Sequence, residues 1–297
     1  MIVLLVSLPR SGSTLLQNLM SRNSTIETRA ESWIYCALHS LGPSYTPTVF
    51  GKRILQKAKH DHIELYSQIA EEIRRTIDGK HEVFLEKTPR NLLVWDVVES
   101  IGYDHRIVLV RNPLAILASM STTWLNGSLN GIHNFYNDLF YGTLKLDDLL
   151  SGSDEGIVIS YEELVSDPDA HVAQIAEALG LADSWGPTSQ MQRSKLGDPN
   201  FGMKYKNVSV DSIESWKAWV NSNPIRYFWA ARWYRYLRRN CSSDCMKRYL
   251  DEFPRFRPGY KGILSDFVGI MKLGIVIILD RLIKLRYRVT DEKRIWI

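Results

Sequence analysis

Arg10-Ser11-Gly12-Ser13-Thr14 puts a guanidinium, three hydroxyls and a glycine into one turn. An apolar run, Ile2 to Val6, precedes the turn, and a helix-like run, Leu15 to Met20, follows it. The order is strand, tight loop, helix. The helix then aims its unpaired N–H groups and the positive end of its dipole at the loop, so the loop suits phosphate or sulfate. Arg10 suits a planar two-point grip on a tetrahedral oxyanion. A nucleoside triphosphate loop would read G-x-x-x-x-G-K-[ST], its lysine reaching the outer phosphates. Here Ser13 follows Gly12 and that lysine is missing. An ordinary turn with a hydroxyl cap uses some of the same residues. The coincidence of strand, glycine, hydroxyls and arginine in one window argues for an anion.

A second segment has related chemistry. Ile107 to Val110 is another buried-strand run, and Arg111 stands at its end. Asn112-Pro113 then places proline where a helix begins. Ser119 lies eight positions beyond Arg111, about two helical turns along. Taken alone, Arg111 reads as a surface charge and Ser119 as a small packing residue.

Together the two segments resemble the sulfotransferases that use 3′-phosphoadenosine 5′-phosphosulfate (PAPS), over roughly residues 1–220. The branch most resembled holds the tyrosylprotein and many bacterial enzymes. The resemblance implies that Arg10, Ser11, Gly12, Ser13, Thr14 and Leu15 form the 5′-phosphosulfate loop. Arg111 and Ser119 would form the 3′-phosphate site. Lys87, in Glu86-Lys87-Thr88-Pro89, resembles the lysine of the family's "KTP" turn, which reaches the bridge between phosphate and sulfate. Tyr161, in Tyr161-Glu162-Glu163-Leu164, resembles a tyrosine beside the nucleotide. Lys206 resembles part of a late loop that closes over the cofactor. Read from the residues alone, Lys87 is equally a turn charge, Tyr161 a strand-end core residue and Lys206 a solvated charge.

Sulfuryl transfer to a hydroxyl or amine needs a base for the acceptor proton and a cation for the departing oxygen. Arg10 and Lys87 would supply the positive charge, so no metal is called for. Glu31, in Arg29-Ala30-Glu31-Ser32-Trp33, matches the position of the base in the tyrosylprotein-type branch. Trp33 is expected to desolvate it. His133 is the rival base, since histidine serves the cytosolic branch. Otherwise Glu31 is a helix charge facing solvent.

The chain has 297 residues, 45% hydrophobic and 24% charged, with a net charge of +4 and a pI near 8.8. That is the balance of a globular enzyme and excludes a mainly disordered chain. The positive excess suits a polyanionic small molecule and is too small to argue for nucleic acid. Cys36, Cys241 and Cys245 form neither a disulfide framework nor a zinc pattern. The first strand is expected to start at Ile2, so a signal peptide is not expected. The expected location is the cytoplasm, either free or peripheral at the inner membrane surface.

Strands are expected near 2–7, 82–86, 106–110 and 156–160. Helices are expected near 14–22, 62–78, 91–100, 113–124, 132–150 and 168–179. This alternation predicts an α/β fold: a P-loop-like parallel sheet flanked by helices on both faces, with an additional C-terminal helical region. A domain of residues 1–262 would precede a tail of 263–297. Residues 224–253 interleave aromatics with arginines, which reads as a core face rimmed by charge rather than a single-strand nucleic-acid surface. Phe267 to Leu279 is apolar except for Lys272, and Arg281, Lys284, Arg286 and Arg288 follow. That tail suits a membrane interface, and equally a helix packed on its own domain or on a second copy in a homodimer. Two further readings of the whole chain stay open: a P-loop-like nucleotide-binding kinase, which the missing lysine opposes, and a non-catalytic relative that keeps the fold.

Overall fold

A computed structural model describes residues 1–28, 31–41, 68, 71–72, 82–152, 156–181, 185–186, 213–257 and 259–287. Five parallel strands form its sheet: β1 (Ile2–Ser7), β2 (Ile26–Thr28), β3 (Val83–Glu86), β4 (His105–Val110) and β5 (Ile157–Ser160). Their spatial order is β2-β3-β1-β4-β5, with Val3 opposite Leu85 on one side and His105 on the other. The sheet is therefore the expected one, with one addition. β2 is only three residues long, and Ile26-Glu27-Thr28 carries no apolar run to announce it.

Alternation along the strands builds two cores, one on each face of the sheet. Ile2, Leu4, Val6, Val108 and Val110 face the larger core. It includes helices α4 (Pro113–Trp124), α8 (Ser215–Val220), α9 (Pro224–Asn240) and α10 (Asp244–Leu250). Val3, Leu5, Ile107 and Leu109 face the other, against α1 (Ser13–Met20) and α7 (Pro168–Ala178). Each such buried aliphatic side chain contributes about 1.5–3 kcal/mol. The remaining helices are α2 (Ile34–Leu41), α3 (Trp95–Ile101), α5 (Thr143–Ser151), α6 (Tyr161–Ser166) and α11 (Ile263–Tyr287).

Helix starts follow local chemistry. The Asn112 side chain accepts the Leu114 N–H with Pro113 in the first turn, and the Ser160 hydroxyl accepts the Glu163 N–H. Two expected helices are broken. Residues 91–100 enter through a 3₁₀ turn, Pro89–Val94, before α3 begins. Residues 132–150 divide into a 3₁₀ turn (Ile132–Phe135), a π turn (Asp138–Gly142) and α5. Gly142 lets that π turn pass close to Leu8: an added Cβ would stand 3.0 Å from its side chain. The expected helix at 62–78 lies outside the described residues except at 68, 71 and 72.

In α9, Ala230, Trp233, Tyr234 and Leu237 are buried while Arg232, Arg235, Arg238 and Arg239 are exposed, so the aromatics form a core face. Arg226 departs from the pattern. It is buried and pairs with the fully buried Asp266 of α11 at 2.7 Å. Asp266 also accepts the Leu129 N–H at 2.6 Å and an N–H of Asn223. Further along α11, Asp280 accepts the hydroxyls of Tyr136 and Tyr141, and Leu273 is buried. The tail helix therefore docks on its own chain.

Candidate active site

Each strand delivers one of the residues singled out in the sequence at or beyond its carboxyl end. β1 leads into residues 8–14, β2 towards Glu31, β3 into Lys87, β4 into Arg111 and β5 into Tyr161. The chain fills the β3 side of β1 and then crosses to the β4 side, and open parallel sheets bind ligands at such a crossing.

The loop after β1 is held in an uncommon conformation. Arg10 has φ 69° and Gly12 φ 96°, both left-handed. The cost at Arg10 is of order 1–3 kcal/mol, so surrounding contacts must hold it. Arg111 does so by donating to the Arg10 carbonyl at 2.8 Å. Gly12 is required twice: by its φ, and because a Cβ there would overlap the Tyr161 ring. The first helical bond of α1 runs from the Leu16 N–H to the Gly12 carbonyl at 3.1 Å. The N–H groups of Ser13, Thr14 and Leu15 thus lie ahead of the helical ladder. Ser11 is fully buried, and its Oγ has no hydrogen-bond partner among the described residues. A buried hydroxyl, a glycine turn and a helix start are the groups an oxyanion needs. Leu15 offers only its backbone here, because its side chain packs on the second core.

On the β4 side, the Arg10 Nε donates to Ser119 Oγ at 3.1 Å, and a second nitrogen donates to Thr123 Oγ1 at 3.2 Å. Its guanidinium also lies 5.4 Å from the Trp124 ring centre. Trp124 in turn stacks on Phe135 with centroids 5.1 Å apart. The Arg111 guanidinium sits 4.0 Å from the Tyr161 ring centre. Arg10, Arg111, Ser119 and Tyr161 are thus one connected cluster, where the sequence suggested two separate stations.

On the β3 side, Lys87 Nζ is 3.6 Å from Glu31 Oε1. Lys87 is buried, whereas the Glu31 side chain is 36% exposed and Trp33 42% exposed. The expected desolvation of Glu31 by Trp33 is therefore not built, because both side chains reach the surface. Trp33 has φ 56°, and its N–H donates to Thr88 Oγ1 at 3.3 Å. The Thr88 hydroxyl donates to Glu86 Oε1 at 2.7 Å. Glu86 is buried, and that burial pushes its carboxyl above the ordinary range, opposed by hydrogen bonds from Thr88, Ser32 and Asn91 and by the Lys87 charge. Asp138 is likewise raised by burial, opposed by Arg90, whose guanidinium it meets at 3.2 Å. Burial also holds the Cys36 thiol up at about 11, which keeps it protonated near neutrality.

Three residues of the cluster carried no role in the sequence reading. Glu86 was visible only as the neighbour of Lys87, while Thr123 follows Ser119 by one helical turn on the same face and Trp124 is the next residue along. The four-residue spacing is the signal that could have found Thr123. His133 lies on the 3₁₀ turn that packs against α11, with its Nδ1 buried. Lys206 lies outside the described residues.

Comparison with known proteins bears on this edge. A profile described as the sulfotransferase family matches residues 3–186, which include every described member of the cluster. Nodulation protein NoeE from Sinorhizobium fredii (strain NBRC 101917 / NGR234) is 27% identical over 260 residues, covering 73% of this chain. The chain spans 60% of the length of that relative. Among solved structures, the sulfotransferase domain from the Synechococcus PCC 7002 olefin synthase matches with a TM-score of 0.49 and 20% identity. That match covers 73% of this chain and 87% of that one. Mouse sulfotransferase SULT7A1 complexed with PAP matches with a TM-score of 0.46 and 16% identity, covering 84% and 88%.

Proposed function

This chain belongs to the sulfotransferase family, and we propose that it moves a sulfuryl group from PAPS to a hydroxyl or amine of its acceptor by in-line transfer. The observation that carries the reading is the meeting of Glu31 with Lys87, 3.6 Å apart, at the sheet edge that also presents the oxyanion loop. A base and a cation side by side serve opposite ends of one displacement. Glu31 takes the proton of the acceptor. Lys87 stabilises the charge that gathers on the departing phosphate oxygen. When bound, PAPS supplies the activated sulfuryl group.

The loop groups, Ser11 Oγ and the N–H groups from Gly12 to Leu15, suit the 5′-phosphosulfate, with Ser13 and Thr14 hydroxyls beside them. Arg111 and Ser119 suit the 3′-phosphate, and Tyr161 the nucleotide. Arg10 bonds Ser119 while its backbone shapes the loop, so we assign it to the joint between the two anions. Lys206 would cover the bound nucleotide. All of these residues fall within 1–262, which we take as the catalytic domain, with 263–297 as its tail.

The test is thermal stabilisation by 3′-phosphoadenosine 5′-phosphate (PAP) compared with AMP. A ligand at a hundredfold excess over its Kd adds about 2.7 kcal/mol. PAP should stabilise far more than AMP, and equal shifts would remove the 3′-phosphate assignment.

A further inference from the structure

Helix α11 turns its two acids inward and a row of apolar side chains outward, although Leu273 also joins the core. Asp266 is buried against Arg226, and Asp280 is held by two tyrosine hydroxyls. Gly269 presses on the backbone of Leu129, where any side chain would collide. The opposite face carries Leu264, Phe267, Met271, Ile275, Ile278 and Leu282, each 49–77% exposed. Their steps of three and four residues form one stripe about 27 Å long at 1.5 Å per residue. A monomer in water seldom leaves such a stripe uncovered. No helix among the described residues is long and apolar enough to cross a membrane.

Charge selects the occupant. From residue 253 to 282, every exposed charged residue is positive: Arg255, Arg257, Lys261, Lys272 and Arg281. The two acids of this helix are the ones turned inward. A second copy fits poorly. Parallel helices would set Arg281 against Arg281, and antiparallel helices would set it near Lys261. An anionic lipid surface meets both requirements, taking up the apolar stripe and attracting the cations.

We propose that the outer face of α11, with the exposed Phe256 and Tyr260 of the preceding loop, lies in the interface of a bilayer carrying anionic headgroups. The full chain is sedimented with vesicles of phosphatidylcholine alone and with a third of the lipid replaced by phosphatidylglycerol. Binding to the anionic vesicles should be stronger by about tenfold or more, and should weaken as salt is raised. The double variant Met271→Glu/Ile278→Glu changes two exposed positions. It should keep the wild-type melting temperature and lose vesicle binding. Absence of binding to anionic vesicles, or equal binding to both compositions, overturns the proposal. So does a wild-type dimer in sedimentation velocity that the double variant converts to monomer.

Discussion

The two halves of the candidate site are held in different ways. On the β4 and β5 side, each functional side chain is held by another. Arg111 grips the Arg10 carbonyl and lies on Tyr161, Tyr161 covers Gly12, and Arg10 reaches Ser119 and Thr123. On the β2 and β3 side, the buried members Glu86, Lys87 and Thr88 form the floor, while Glu31 stands 36% exposed above it. Groups that would bind a fixed, doubly anionic molecule are assembled in advance. The group proposed to take a proton stays on the rim, where an acceptor must enter. Pre-assembly lowers the ordering cost of binding, and an accessible base leaves room for the second substrate.

Substitutions can separate the halves. Glu31→Gln should lower sulfuryl transfer by about 10²–10⁴-fold, the range for a missing general base, while leaving PAP stabilisation unchanged. Single-turnover assays and melting curves on the same preparation check both parts. If turnover persists within a few-fold, the base lies elsewhere and His133 is the next residue to replace.

Arg111→Ala acts on the other half. Loss of one charged hydrogen-bonding group costs about 1.5–3 kcal/mol, or roughly 10–150-fold in PAP affinity. Calorimetric titration should show AMP binding far less affected. The variant also leaves the Arg10 carbonyl without its donor, so the ligand-free protein should melt earlier.

Gly12→Ala meets both a left-handed φ and the Tyr161 ring, for a loss of about 1–3 kcal/mol. Adding Tyr161→Ala should recover the steric part and leave the backbone part. A double-mutant cycle on melting free energies measures the split.

The smallest effect is a slope. Glu86 holds its proton more tightly in the folded chain than at the ordinary value of 4.5. The stability it adds is therefore fully present below 4.5 and is lost as pH rises through the folded value. Denaturant titrations should show that Glu86→Gln flattens the decline between pH 4.5 and neutrality. An unchanged slope would assign the decline to other groups, Asp138 first.

The oxyanion loop, Arg111 with its helix and four strands were legible because each is a local pattern: an apolar run ended by glycine, hydroxyl or proline. β2 was not, because three residues with a central glutamate gain strand character only by pairing with β3. The π turn at 138–142 was hidden for a similar reason. Its departure from α-helix accompanies a buried Asp138 partnered by Arg90, 48 residues away. The resemblance gave Glu31 and Lys87 as individual residues. Their contact depends on β2 and β3 lying side by side, which no spacing encodes. The outward apolar face of α11 was equally hidden, since the sequence shows an apolar stretch without saying which side Asp266 and Asp280 would turn.

Because each strand contributes one station, the sheet works as a ruler. Neighbouring strands lie about 4.8 Å apart, and β3, β1 and β4 are consecutive rungs. Lys87 and Arg111 stand at the outer two, with the loop on the middle one. The separation of the two backbone anchors is set by strand pairing, and the side chains carry the charges outward from there. Under the roles proposed above, the two anionic ends of a donor would have to match that spacing. Point substitutions at the edge change the group carried at a mark and leave the strand spacing in place.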